Sequence, residues 1–196
     1  MLFKKGGENM PPKVRYTKEQ IVQTAFEMVR QHGEAYLSAR NLASRLGTST
    51  APIFTAFEGI DQLRDQVVRR AIALYGEYIK KGLEGEIPFK GAGLMYIKFA
   101  KDEPNLFKML FMSGNNSQEV SSYFPEYDEN EPVVRGTVEQ TYGLSTEKAK
   151  KLYNHLSVYV HGIAVMYALG GGYFSDDDVS NMLTEMFKSL INGGAL

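Results

Sequence analysis

Four small, uncharged residues, Thr50, Ala51, Pro52 and Thr55, crowd the start of a short run of residues. Such side chains do no covalent chemistry, but they fit the edges of base pairs. The methyl groups of Ala and Thr suit the thymine methyl, and a Thr hydroxyl donates or accepts. Around them stand groups that meet phosphate: Lys13, Arg15, Lys18, Ser38 and Arg40. Thr48 and Ser49, which also offer a helix cap, and Phe54 complete the candidate DNA-binding set.

Catalytic groups are scarce by comparison. The chain has no cysteine and three histidines, His32, His155 and His161. His155 and His161 lie six apart on a helical pattern, about 240° around it, so one metal cannot take both from one face. His32 falls at a helix end, where the dipole favours it. The glycine runs at 91–93 and 170–172 follow helical patterns rather than strands, which excludes a phosphate loop. No GxSxG elbow is present. Asp176, Asp177 and Asp178 precede an apolar run, as acids at a helix N-terminus do, without the spacing of a calcium loop. The expectation is a binding protein with no enzyme activity, no metal and no cofactor.

The candidate DNA residues need two short helices to present them. Ala39, Leu42, Ala43 and Leu46 fall at i, i+3, i+4 and i+7, one apolar stripe. Ser38 can cap this helix and Gly47 can end it in a left-handed conformation. Pro52 fits the first turn of the next helix, and Ile53 and Phe57 face inward. A first helix, from Thr17 to Gly33, carries Ile21, Ala25, Met28 and Val29 on one face and a capping box between Thr17 and Gln20. Together these make a three-helix, helix-turn-helix head whose last helix enters a major groove.

The pattern SxxxLASxLGxSxxxIFxxFxxxxxL, from Ser38 to Leu63, resembles the DNA-binding head of TetR-type transcriptional repressors. The resemblance covers residues 16–75 and implies a DNA-binding regulator. The chain departs from it at Phe54, where the family usually has Tyr, and at Ile60, where it usually has Lys. Both family residues normally touch phosphate. A second reading therefore stands beside the first: a helical ligand- or partner-binding module whose head binds DNA weakly. Val160 to Gly162, VHG, is similar to a three-residue mark of one TetR body subgroup, although Ser157 stands where a Trp often precedes it.

Charge is divided along the chain. Residues 1–57 hold eight Lys or Arg against four Glu, and the remainder fourteen against nineteen acids. A basic head on an acidic body suits a polyanion at one end only. Residues 1–14 read as a disordered basic arm, since no apolar stretch follows its lysines. With no membrane-length apolar run, the expected location is the cytoplasm.

The rest of the chain reads as all-α. The expected boundaries are a head over 15–62, a connector helix over 63–84 and a ligand-binding and dimerisation bundle over 85–196. The connector has two apolar rows, so it must be covered on two sides. Gly91 and Gly93 in the following helix permit close packing or mark a non-helical start. Asp102 is a candidate cap for the helix after that, and residues 115–131 read either as a loop or as a poorly ordered connection with a short helical piece. Tyr96, Phe99, Phe107, Phe111, Tyr142, Tyr159 and His161 are the candidate ligand-pocket residues. Few cations interrupt the apolar runs, so the expected ligand is an uncharged or cationic aromatic molecule rather than a multiply anionic one. Tyr159, Ile163, Leu183 and Phe187 are the candidate surface of a homodimer, which a near-palindromic double-stranded operator would require.

Overall fold

The computed structural model describes residues 16–112 and 131–193. Three helices form the head: α1 (Lys18–His32), α2 (Ala39–Leu46) and α3 (Ala51–Ala56), with a 3-10 turn at Glu34–Tyr36. The long α4 (Ile60–Leu83) leads to α5 (Pro88–Asp102), α6 (Pro104–Phe111), α7 (Glu131–Tyr142), α8 (Thr146–Ala168) and α9 (Asp176–Asn192). No strand occurs among the described residues. Lys13, Arg15, the 1–14 arm and the loop or connection expected over 115–130 lie outside them.

Local chemistry explains most of the boundaries. The Thr17 backbone N–H donates to Gln20 Oε1 at 2.8 Å, and the Gln20 N–H donates to Thr17 Oγ1 at 3.2 Å. That reciprocal pair satisfies two donors that have no partner inside α1. Ser38 Oγ accepts from the Asn41 N–H, and Ser145 and Ser175 cap α8 and α9 in the same way. Gly47 ends α2 at φ 64°, ψ 40°, a left-handed conformation in which a Cβ is strained.

Three expectations are corrected. Neither Thr48 nor Ser49 caps α3; Thr50 occupies the cap position in a helical conformation with no side-chain bond. Asp102 ends α5 instead of opening α6. Its carboxylate accepts from the Tyr78 hydroxyl at 3.0 Å and pairs with Lys98 at 2.9 Å, which leaves Glu103 at the α6 cap position. The connector helix starts at Ile60 rather than at 63, so its first turn belongs to the head, where Leu63 is fully buried.

The main core runs without a break from Ile21, Met28, Leu42, Ile53 and Leu63 in the head to Phe99, Leu106 and Phe107 in the body. A smaller cluster of Val138, Ala149, Leu152 and Leu156 joins α7 to α8 and is covered by Met186, Phe187 and Leu190 of α9. Burying each large side chain contributes about 1.5–3 kcal/mol.

Gly82 and Gly91 allow α4 and α5 to touch backbone to backbone. A Cβ on either glycine would fall inside van der Waals contact of the other's carbonyl oxygen. Both helices would have to part, because neither obstacle is a flexible side chain. Gly82→Ala should therefore destabilise the protein by about 2–3 kcal/mol, despite the better helix propensity of Ala. A midpoint of urea unfolding equal to that of the parent protein would show that the two helices separate without cost.

Candidate DNA interface and ligand cavity

The head presents the outer face of α3. Ala51, Phe54 and Thr55 are exposed, Thr50 and Pro52 half-buried, while Ile53 and Phe57 point into the core. The Thr55 hydroxyl donates to the Ala51 carbonyl at 2.9 Å, so toward a groove it offers its methyl and an acceptor. Phe54 is 53% exposed and has no polar handle. Ile60, at the start of α4, is half-buried against the core.

The expected phosphate groups divide. Ser38 Oγ is used as the cap of α2, which ties its hydroxyl to the backbone. Arg40, the second residue of the same helix, is exposed. The Lys18 ammonium lies over the Phe57 ring at 4.8 Å, a cation–π contact that holds α1 against α3. The Tyr16 hydroxyl donates to the Leu46 carbonyl and binds the segment before α1 to the end of α2. The sequence pattern gave no sign of that anchor.

A cavity of about 480 Å³ opens between α4, α5, α7, α8 and α9, with the end of α6 on its wall. Of the expected pocket residues, Tyr96, Phe111, Tyr142 and His161 line it. Phe99 and Phe107 do not; both are fully buried one layer behind, with Phe107 stacked on His161 at 5.8 Å between ring centroids. Tyr159 does not line it either and packs half-buried against the core. Lining residues missed in the sequence include Tyr75 and Ile79 of the connector, Lys90 of α5, Tyr153 and Ser157 of α8, and Thr184 and Lys188 of α9. A helix apolar on two sides does announce that it is covered twice, but not that one cover is a cavity.

Deep in the cavity the Tyr96 hydroxyl and His161 Nδ1 are hydrogen-bonded at 2.9 Å. Burial holds the His161 pKa below its ordinary value, so the imidazole is neutral at pH 7. The wall around it is aromatic: Tyr75 meets Tyr96 edge-on at 5.8 Å and Phe111 at 5.3 Å.

The connector reaches both sites. Arg70 of α4 pairs with Glu19 and hydrogen-bonds Gln23, both on α1 of the head. About one turn further on, Tyr75 faces the cavity. A second link joins α1 to α6. Arg30 Nε donates to Glu103 Oε2 at 2.7 Å, a second nitrogen of the guanidinium meets Oε1, and Asn105 Nδ2 donates to the Arg30 carbonyl at 2.9 Å. Glu103 is only 5% exposed, and its carboxylate raises the Arg30 pKa above the ordinary value, against the effect of burial.

No family model matches the chain. Over 151 residues it is 30% identical to an HTH-type transcriptional repressor of Mycobacterium tuberculosis and to an uncharacterized HTH-type transcriptional regulator of Mycobacterium bovis, a match covering 76% of this chain and 56% of theirs. The chain thus spans little more than half the length of these curated relatives. Its fold matches that of a TetR-like transcriptional regulator from Rhodococcus sp. RHA1 with a TM-score of 0.69 at 14% identity, over 94% of this chain and 100% of the other. A structure from Pseudomonas aeruginosa PAO1, described as that of a transcriptional regulator, gives 0.64 at 17% identity over 91% of each chain. The chain has a TetR-like fold.

Of the residues expected at a dimer surface, Ile163 and Leu183 are buried in the protomer's own core, Tyr159 is half-buried, Leu183 and Phe187 line the cavity, and Phe187 packs on Tyr142 at 4.8 Å. Periodicity marked these residues as facing something and could not say whether a core or a partner. The exposed apolar residues of α8 and its C-cap are Val158 (67% exposed), Met166 and Leu169, with Gly162 open between Val158 and Met166 among the described residues. Among the described residues no group of side chains is arranged to hold a metal, and no helix is long and apolar enough to cross a membrane.

Proposed function

We propose that the protein is a dimeric, cytoplasmic transcriptional repressor that holds a near-palindromic operator and is released by a small, largely apolar or aromatic ligand. The observation that carries this reading is the path of α4. One end packs in the helix-turn-helix head, and the next turns supply Tyr75 and Ile79 to the cavity wall. A ligand that displaces these two side chains bears on the helix that sets the spacing of the two heads. Release requires that it bind the non-operator conformation more tightly.

Thr50, Ala51, Pro52, Phe54 and Thr55 would meet the major groove, with Lys18 and Arg40 toward phosphate. With no Arg or Asn on that face, discrimination rests on apolar fit to thymine methyls and on DNA shape. Enrichment of genomic fragments on the purified protein tests this reading directly. A single enriched near-palindrome, released by a cavity ligand, supports it. An exposed Phe54 and a half-buried Ile60 favour the second reading, in which the head binds DNA weakly; absence of any enriched site would select it.

Ile60→Lys probes the same face. The new ammonium can extend from the start of α4 along its own stem. Binding should tighten for all sequences alike, and the dependence of log affinity on log salt should steepen by about 2 per dimer. An unchanged slope would place position 60 away from phosphate.

A further inference from the structure

The charged residues among the described lining of the cavity are of one sign. Lys90 and Lys188 border it, and no Asp or Glu among the described residues does. Neither lysine makes a hydrogen bond or ion pair with another described residue. Lys90 is also at the wrong end of its helix: Pro88 opens α5, so Lys90 lies in the first turn, where the helix dipole favours an acid and disfavours a cation. Local chemistry that opposes the fold points to a role outside the fold. The exposed lining residues, Ile87, Tyr142, Val158 and Lys188, mark the mouth, while Tyr96, His161 and Leu183 stand deeper.

We infer that the cavity takes a monoanionic amphiphile, a carboxylate carried on an alkyl or aryl body, with the body among the tyrosine and phenylalanine rings and the carboxylate at the mouth between Lys90 and Lys188. Two lysines match one carboxylate and offer too little charge for a polyphosphate. A cationic ligand, one of the two kinds expected from the sequence, would meet two like charges and no acid among the described lining residues, and its charge would have only ring faces there to answer it. Deeper placement of the carboxylate is disfavoured, because the inner wall is aromatic and His161 is neutral there.

This inference rests on the ligand-released reading only for its consequence on DNA; the binding preference stands by itself. The test is calorimetric titration of the full chain with two matched series: decanoate, decanol and decylamine, and biphenyl-4-carboxylate with its alcohol and amine. The carboxylate should bind about tenfold more tightly than the alcohol in at least one series, and the amine most weakly. Lys90→Gln combined with Lys188→Gln should remove that preference and leave alcohol binding unchanged. No binding in either series, equal binding of alcohol and carboxylate, or a preference that survives the double variant would overturn the inference. Operator affinity measured on the same samples separates the two claims. A carboxylate that binds through the lysines but leaves DNA bound keeps this inference and sinks the ligand switch. Release by an uncharged binder alone does the reverse.

Discussion

Gly162→Glu should separate the proposed dimer into monomers and abolish the proposed operator binding at working concentrations. A Cβ at position 162 meets nothing within 4 Å among the described residues, so the new side chain has room there and the helix gains propensity. Monomer stability should therefore hold or rise slightly. With the proposed dimer formed on the exposed face of α8 around Gly162 and Met166, the substitution would bring two carboxylates together in apolar surroundings. The cost is on the order of 3 kcal/mol, a rise of about a hundredfold in the dimer dissociation constant. Each head alone reads half of the site, so affinity for the intact operator falls at least as far. Sedimentation velocity at micromolar protein checks the first claim and a mobility shift the second, with Gly162→Ala as the control that keeps both. A Gly162→Glu protein that remains dimeric would place the interface elsewhere.

Arg30→Met should lower the thermal midpoint by about 4–10 °C. Glu103 is nine-tenths buried, and its two oxygens are held by the Arg30 fork. Removing both partners of such a pair is often tolerated; removing one strands a charge. The full penalty for a buried pair is about 3–5 kcal/mol. Arg30 is 43% exposed, so water relieves part of it, and about 2–3 kcal/mol is expected. Glu103→Gln added to Arg30→Met should recover part of the loss, because the stranded charge is gone. Calorimetry on the two single variants and the pair tests this. A double variant no more stable than Arg30→Met alone would mean that packing of the arginine stem, rather than the charge on Glu103, carries the effect. The pair also joins α1 to α6, so the single variant should loosen the attachment of head to body.

Residues that act on near neighbours were legible in advance. The Thr17–Gln20 capping box, the Ser38 cap and the Gly47 stop involve atoms within four residues of one another, and each is where the sequence puts it. The helix-turn-helix is built wholly of such local signals, with Leu42, Leu46, Ile53 and Phe57 on the inner face, so its presence and outer face could be read directly. Asp102 shows the limit. Its composition suits a cap, yet Tyr78 lies 24 residues away in sequence and takes its carboxylate.

The sequence by itself determined an all-α chain, a helix-turn-helix with Thr50, Ala51 and Thr55 on its open face, a connector covered on two sides, and a basic head on an acidic body. These depend on period, caps and charge, which act over a few residues. Only the tertiary structure decided what each apolar stripe faces. It buried Ile163 and Leu183 inside the protomer, put Phe99 and Phe107 behind the cavity wall, and left Val158, Met166 and Leu169 outside. It also brought Arg30 to Glu103 and set Lys90 and Lys188 on one cavity. A helical period says that a face is covered, whereas the identity of the cover depends on how distant helices cross. Here that is fixed by the contact of Gly82 with Gly91 and by side chains that lie far apart in the chain.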